Sequence, residues 1–225
     1  MEPVETFYDS RGFKTLVFDD VMPQYAIDRW LEYRKQIKFY KTLQQAIPMS
    51  FRVRAVLQDE RDKWFKLHDW IEPYLKHYNE KLSVKNFRRS FINFYQKDDF
   101  IKVHADINGD KFGDDDLYLV VLIFLTPDSY INDPSDSGFI INNTLNTRDF
   151  IIDNKFNRMV LMDARSLHEP MVPTDNLQRL TLYAGYTISP KANPVVDRRE
   201  RTLDTVGNIP GTQYFVDKSD FQYVD

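Results

Sequence analysis

The longest apolar stretch in the chain, residues 117–125 (LYLVVLIFL), constrains the fold more than any other segment. It is too short to cross a bilayer as a helix. It is continuous rather than alternating, as a strand buried on both faces should be. Its surroundings from residue 87 onward are also short and extended. Phe87–Tyr95 alternates, with Phe87, Phe91 and Tyr95 in phase, and residues 101–103 lead into His104. Further strands are expected near 138–141, 149–152 and 158–162, and Arg179–Ile188 closes the series. Many short strands with turn signals between them indicate a mainly β sandwich or jelly roll.

The first third is mixed. Residues 15–18 read as a short strand, and Asp19 and Asp20 before Pro23 mark a helix start. Ile27, Trp30, Leu31, Arg34 and Ile37 follow helical spacing. Residues 51–57 alternate like a strand. Residues 59–82 look helical, with Trp64, Leu67, His68, Ile71, Leu75 and Tyr78 on one stripe, and Pro73 should kink or split that helix. These N-terminal helices should pack outside the β layer, with Trp30, Trp64 and Trp70 in the core. The expected organisation is one domain over 1–188, divided into a helical or mixed part (1–86) and a jelly-roll core (87–188). Residues 189–225 read as a C-terminal extension of low regularity, which Tyr214, Phe215 and Phe221 could anchor.

Length and charge narrow the function. The chain has 225 residues and a net charge of -4, which argues against nucleic acid as a main partner. It has no cysteine, which removes disulfides, thiolate catalysis and zinc–thiolate sites together. The N-terminus is acidic and lacks an apolar leader, and no segment is long enough for a bilayer helix. The expectation is a cytoplasmic protein without a membrane partner.

The chemistry is concentrated in His104-Ala105-Asp106, His168 and Arg179. Two imidazoles and one carboxylate are the ligand set of a facial-triad iron(II) site with open positions. In extended chain, residues i and i+2 share a face, so His104 and Asp106 can reach one ion while Ala105 points away. Arg179 and Thr181 repeat that relation on a later strand, with Leu180 and Leu182 opposite. A guanidinium there could hold a dicarboxylate cosubstrate.

These residues resemble the iron(II)- and 2-oxoglutarate-dependent oxygenases, nearest to the prolyl 4-hydroxylase-like branch, over roughly residues 88–188. Tyr95, nine residues before His104, is similar to the tyrosine that precedes the first metal ligand. His104-Ala-Asp106 resembles the His-x-Asp motif, and Ser137-Gly138-Phe139 the glycine-containing start of a strand. Residues 157–162 resemble the strand leading to the distal histidine, His168. Arg179-Leu-Thr181, eleven residues after His168, resembles the Arg-x-Ser/Thr clamp.

The resemblance implies a double-stranded β-helix. It implies iron(II) held by His104, Asp106 and His168, with Arg179, Thr181 and Tyr95 on 2-oxoglutarate. It implies dioxygen as oxidant, with room for ascorbate as a reductant. The reaction would be hydroxylation of an unactivated C–H bond in a prolyl, amino-acid, peptidyl or other small substrate, with release of succinate and carbon dioxide. Asp106 keeps its carboxylate, which disfavours a halogenase. Three departures stand out. Lys97-Asp98 occupies a place where the family often has glycine, the cosubstrate cation is Arg rather than the Lys of many members, and Gly185 stands where nucleic-acid demethylases carry a second arginine.

Other polar clusters have plainer readings. His68 and His77 read as ordinary helix residues, Asp114 to Asp116 as a solvated turn, and Arg165 as a surface ion pair. Asp106, Asn108 and Asp110 fail the EF-hand pattern at its sixth and twelfth positions. The loop 126–136 is a candidate lid or an ordinary surface loop, the run 197–201 a solvated segment or a contact to the acidic body, and the sequon at Asn142 a chance match. Two alternatives stay open: a non-catalytic jelly-roll binding module, and a cupin-type metalloenzyme that does not use 2-oxoglutarate.

Overall fold

A computed structural model describes residues 2–44, 49–55, 61–106, 116–142, 150–188 and 214–223; for 40–44, 49–55, 61 and 214–223 it describes the backbone alone. The apolar run forms β6 (Leu117–Phe124) inside a nine-stranded antiparallel sheet. The strands along that sheet are β1 (Glu5–Tyr8), β2 (Lys14–Phe18), β9 (Met159–Asp163), β6, β11 (Arg179–Ile188), β5 (Phe87–Tyr95), β4 (Met49–Ala55), β3 (Lys38–Gln44) and β12 (Tyr214–Tyr223). A smaller antiparallel sheet holds β10 (Leu167–Pro170), β7 (Phe139–Asn142) and β8 (Phe150–Ile152) in that order.

Side-chain alternation gives the large sheet two different apolar faces. Leu119, Val121 and Ile123 of β6, with Leu180, Leu182, Ile92 and Phe94, pack on the helices. Those helices are α1 (Gln24–Tyr33), α2 (Leu67–Trp70) and α3 (Glu72–Tyr78), which contribute Trp30, Tyr33, Leu67, Ile71 and Leu75. On the opposite face, Val120, Leu122, Phe124, Phe91 and Tyr183 meet Phe139, Ile141 and Ile152 of the small sheet. Each such fully buried side chain contributes roughly 1.5–3 kcal/mol. The fold is therefore a double-stranded β-helix with helices packed outside, as the sequence indicates, and β6 is covered on both faces.

Several local expectations need correction. Residues 59–82 are not one helix. A π-turn at Arg61–Phe65 ends at Lys66, whose φ is 47°, and two short helices follow. Pro73 sits in the first turn of α3, where its missing N–H costs nothing, so it starts a helix instead of kinking one. Leu31 is exposed; Ala26, Trp30 and Tyr33 form the buried face of α1. Trp30 is fully buried and donates its indole N–H to the Leu125 carbonyl at 3.0 Å, whereas Trp64 and Trp70 are only partly buried. A register shift between Gly185 and Tyr186 takes Phe87 out of phase with Phe91 and sends it to the helix side, where its ring meets Tyr186. Asp116 is buried, not a solvated turn.

Strands β1, β3 and β10 lie where no strand was expected, and residues 101–103 form none. Within the extension, Tyr214–Tyr223 pairs antiparallel with β3, so that part is regular. Asp114, Asp115, Asn108, Asp110, most of the sequon and the run 197–201 lie outside the described residues, as do the side chains of 51–55, Tyr214, Phe215 and Phe221.

Gly138 leads into β7 with its α-carbon against the Ile152 carbonyl of β8, and a Cβ there would collide with that backbone oxygen. Gly138→Ala should therefore destabilise the protein by about 1–3 kcal/mol. Urea denaturation checks this; an unchanged midpoint would mean that β7 and β8 are not held this closely.

Candidate metal and cosubstrate site

Two backbone hydrogen bonds build the site. The His104 N–H donates to the His168 carbonyl at 2.9 Å, and the His168 N–H donates back to the His104 carbonyl at 2.8 Å. Two residues on, the Asp106 N–H donates to the Ala164 carbonyl at 2.9 Å. The segment 104–106 is thereby laid along the small sheet, where β10 holds His168 opposite Ile141 of β7. The side chains of His104, Asp106 and His168 converge, with potential ligand atoms all within 4.8 Å of one another. Nε2 of His104 is 3.8 Å and Nε2 of His168 is 4.0 Å from Oδ1 of Asp106.

Both imidazoles are oriented by the backbone. Nδ1 of His104 lies 2.8 Å from the Lys102 carbonyl, and Nδ1 of His168 lies 2.9 Å from the Ser166 carbonyl. A carbonyl only accepts, so Nδ1 holds the proton and the Nε2 lone pair faces Asp106. Phe139 stacks on His168 with ring centroids 5.2 Å apart. Burial, reinforced by the neighbouring His104, pushes His168 down to about 4. His168 is therefore neutral at pH 7, the form a metal requires.

The second half of the site is Arg179. It is 1 % exposed, at the start of β11 and opposite Tyr95 of β5. Its Nε donates to the Ser137 carbonyl, just before β7, which ties the two sheets together. Its guanidinium carbon lies 4.9 Å from the Tyr95 ring centroid and 5.2 Å from that of Phe124. Nη1 and Nη2 are buried and make no hydrogen bond of good geometry among the described residues, the Tyr95 side chain being the polar group that acts on the guanidinium. Burial lowers the guanidinium to about 10, with Tyr95 acting in the opposite sense, so it is still charged at neutral pH. An enclosed cation with two unmatched donors is complementary to a carboxylate.

All six residues singled out from the sequence, Tyr95, His104, Asp106, His168, Arg179 and Thr181, line one cavity. The space is about 490 Å³, including the part open to solvent. Arg165 is directed elsewhere: it pairs with Asp163 at 2.8 Å and covers the Phe13 ring. His68 and His77 lie in α2 and α3 against Phe87 and Phe18. Thr126, at the start of the candidate lid, is tied to β11 by accepting from the Leu180 N–H at 2.8 Å.

The sequence reading missed Asn93, Phe139 and Tyr183, which line the same cavity. Asn93 lies opposite Thr181, and its buried Oδ1 has no partner among the described residues. Period-two counting back from Tyr95 reaches Asn93 and then Phe91, and counting on from Thr181 reaches Tyr183, so the signal was present. Asp98 has a φ of 72°, a left-handed conformation favouring glycine and tolerated by aspartate. The turn keeps its shape because Asp99 accepts the Gln96 N–H at 3.0 Å.

No protein-family model and no curated protein matches the chain. Solved structures do. The chain is similar to HygX from Streptomyces hygroscopicus, solved with nickel, 2-oxoglutarate and hygromycin B, at 14% identity over 80% of this chain and 84% of that one, with a TM-score of 0.53. It is similar to a Pseudomonas putida prolyl-4-hydroxylase at 13% identity over 76% of this chain and 91% of that one, TM-score 0.53. The viral collagen prolyl hydroxylase of Paramecium Bursaria Chlorella virus-1, in a 2-oxoglutarate complex, matches at 12% identity over 78% of this chain and 96% of that one, TM-score 0.54. The chain has the fold of the iron(II)- and 2-oxoglutarate-dependent oxygenases.

Proposed function

We propose that this protein is an iron(II)- and 2-oxoglutarate-dependent oxygenase that hydroxylates an unactivated C–H bond. The observation that carries the reading is the pairing of a His-Asp-His cluster with a buried, unmatched guanidinium in the same cavity. A metal site alone would suit a cupin-type enzyme, and a binding module needs neither. A dianion with a chelating end and a carboxylate end uses both halves.

His104, Asp106 and His168 would hold the metal, each imidazole through Nε2 because Nδ1 is committed to the backbone. Arg179 would take the distal carboxylate of 2-oxoglutarate through Nη1 and Nη2. Thr181, buried beside it on β11, and Tyr95 would add hydroxyl donors. When bound, the metal and cosubstrate supply oxidative decarboxylation to succinate and carbon dioxide, coupled to oxygen transfer to carbon. The chain's own contribution is orientation and exclusion of water. Phe124 and Phe139 are fully buried walls that keep the ionic contacts in a low dielectric.

An anaerobic titration with iron(II) and 2-oxoglutarate, followed by the weak visible charge-transfer band of the chelated keto acid, tests the reading. The band should form in the wild type and vanish in His104→Ala. In Arg179→Ala the 2-oxoglutarate dissociation constant should rise about 100-fold, the scale of breaking a buried charge pair. A folded, iron-loaded protein without the band would favour the cupin-type alternative.

The depressed pKa of His168 gives a second test, on the metal-free protein. Between about 6.5 and about 4 the unfolded chain takes up a proton at this residue while the folded chain does not. Stability from this group is complete above that window and falls as the pH drops through it, by about 3 kcal/mol in all. Chemical denaturation across the window should show this loss in wild type and a smaller one in His168→Gln. Identical pH dependence in the two would mean that His168 is not buried neutral.

A further inference from the structure

The short turn before β7 is fastened on several sides. It is a 3₁₀ turn, Pro134–Ser137, led by Asp133, whose carboxylate accepts the Ser135 N–H at 2.9 Å and its hydroxyl at 2.7 Å. Asp136 accepts the Thr174 N–H at 2.9 Å and its hydroxyl at 2.7 Å, which ties the turn to the segment before β11. The inner fastening is Asn154, two residues past β8. Its backbone N–H donates to the Pro134 carbonyl at 2.9 Å, and its Nδ2 donates to the Ser137 hydroxyl at 3.0 Å. One residue thus grips the first and the last member of the turn. Asn154 and Ser137 are both buried, at 1 % and 0 % exposure. The Asn154 Oδ1 makes no hydrogen bond among the described residues. An apolar side chain of similar size would avoid that cost, so packing alone does not account for an amide here. What the amide holds does: the Ser137 carbonyl is the acceptor of the Arg179 Nε.

Fixing that carbonyl fixes the cation. An arginine side chain is long and rotates freely, so its head can serve ligands of several lengths. Here Nε is anchored to Ser137, and the rings of Tyr95 and Phe124, 4.9 Å and 5.2 Å from the guanidinium carbon, limit its tilt. Nη1 and Nη2 are then held at one distance from the cluster of His104, Asp106 and His168. A keto acid chelated at that cluster has its near end fixed as well, so only one chain length places its far carboxylate on the guanidinium. We infer that Asn154, acting through Ser137 on Arg179, is the positioning residue that sets this span and makes the cavity select 2-oxoglutarate over a keto diacid one methylene longer. Asn154 and Ser137 are not among the described residues lining the cavity, so both act through the arginine. The inference rests on the cosubstrate reading above, which supplies the dianion that is measured.

The test is anaerobic calorimetry on the full chain loaded with iron(II), using three keto acids. These are 2-oxoglutarate, 2-oxoadipate with one more methylene, and 2-oxobutyrate with no distal carboxylate. The wild type should bind 2-oxoadipate about tenfold or more weaker than 2-oxoglutarate. Asn154→Leu removes the amide at similar size, and Ser137→Ala removes its partner hydroxyl with a smaller disturbance, so the second variant serves if the first does not fold. Either should weaken 2-oxoglutarate about tenfold, the scale of one lost hydrogen bond, with 2-oxoadipate and 2-oxobutyrate nearly unchanged. The preference for the shorter diacid then narrows or disappears, which a general loosening of the fold would not produce. A folded variant that keeps the wild-type preference, or one that loses all three keto acids equally, overturns the inference, as does a wild type indifferent to the extra methylene. The 2-oxobutyrate arm separates the two levels. If the wild type binds it as well as 2-oxoglutarate, the cosubstrate reading falls and takes the span with it; if the wild type discriminates and the variants keep their length preference, the role of Asn154 alone is wrong.

Discussion

A guanidinium held inside an apolar wall is the constraint around which this structure is arranged. Arg179 has one nitrogen committed to the Ser137 carbonyl and two that make no hydrogen bond of good geometry among the described residues. Leaving such donors buried costs about 1–3 kcal/mol each, more when they carry charge. A fold retains that cost where a ligand removes it, and here the bond from Nε also ties the large sheet to the small one. The same residue therefore links the two layers and lines the cavity between them.

The two faces of β5, β6 and β11 divide the work. Leu180 and Leu182, Ile92 and Phe94, and Leu119, Val121 and Ile123 face the helices and provide most of the apolar burial. Their alternates, Arg179, Thr181 and Tyr183 on β11 and Asn93 and Tyr95 on β5, face the small sheet and carry the polar chemistry. Because the cavity wall is central strand, paired on both sides, its side chains sit on a rigid frame. The cluster of His104, Asp106 and His168 is held differently. Its first two members are in a short irregular segment, fixed by the bridge between His104 and His168 and by the Asp106-to-Ala164 bond.

Much of this was legible in the sequence because it rests on period-two alternation. Arg179 and Thr181, His104 and Asp106, and the apolar run of β6 all follow from it. Asn93 and Tyr183 obey the same rule, but no motif marks them out from other strand residues. The rest was not legible for physical reasons. Phe87 changes face because of a register shift at Gly185, which no local pattern announces. Residues 59–82 carry a helical stripe, yet the chain breaks at Lys66 in a left-handed conformation that depends on tertiary packing. Strand β12 finds its partner in β3, far away in sequence, so its residues read as irregular on their own.

The central claim is that Arg179 holds the far carboxylate of a keto acid whose other end is on the metal. Calorimetric titration of the iron(II)-loaded, oxygen-free protein with 2-oxoglutarate and with 2-oxobutyrate tests it most directly, because the second compound keeps the chelating end and lacks the distal carboxylate. The account predicts that 2-oxobutyrate binds about 100-fold more weakly, the scale of one buried charge pair left unmade. Equal affinities would contradict it, for they would mean that the guanidinium takes no part in holding the cosubstrate.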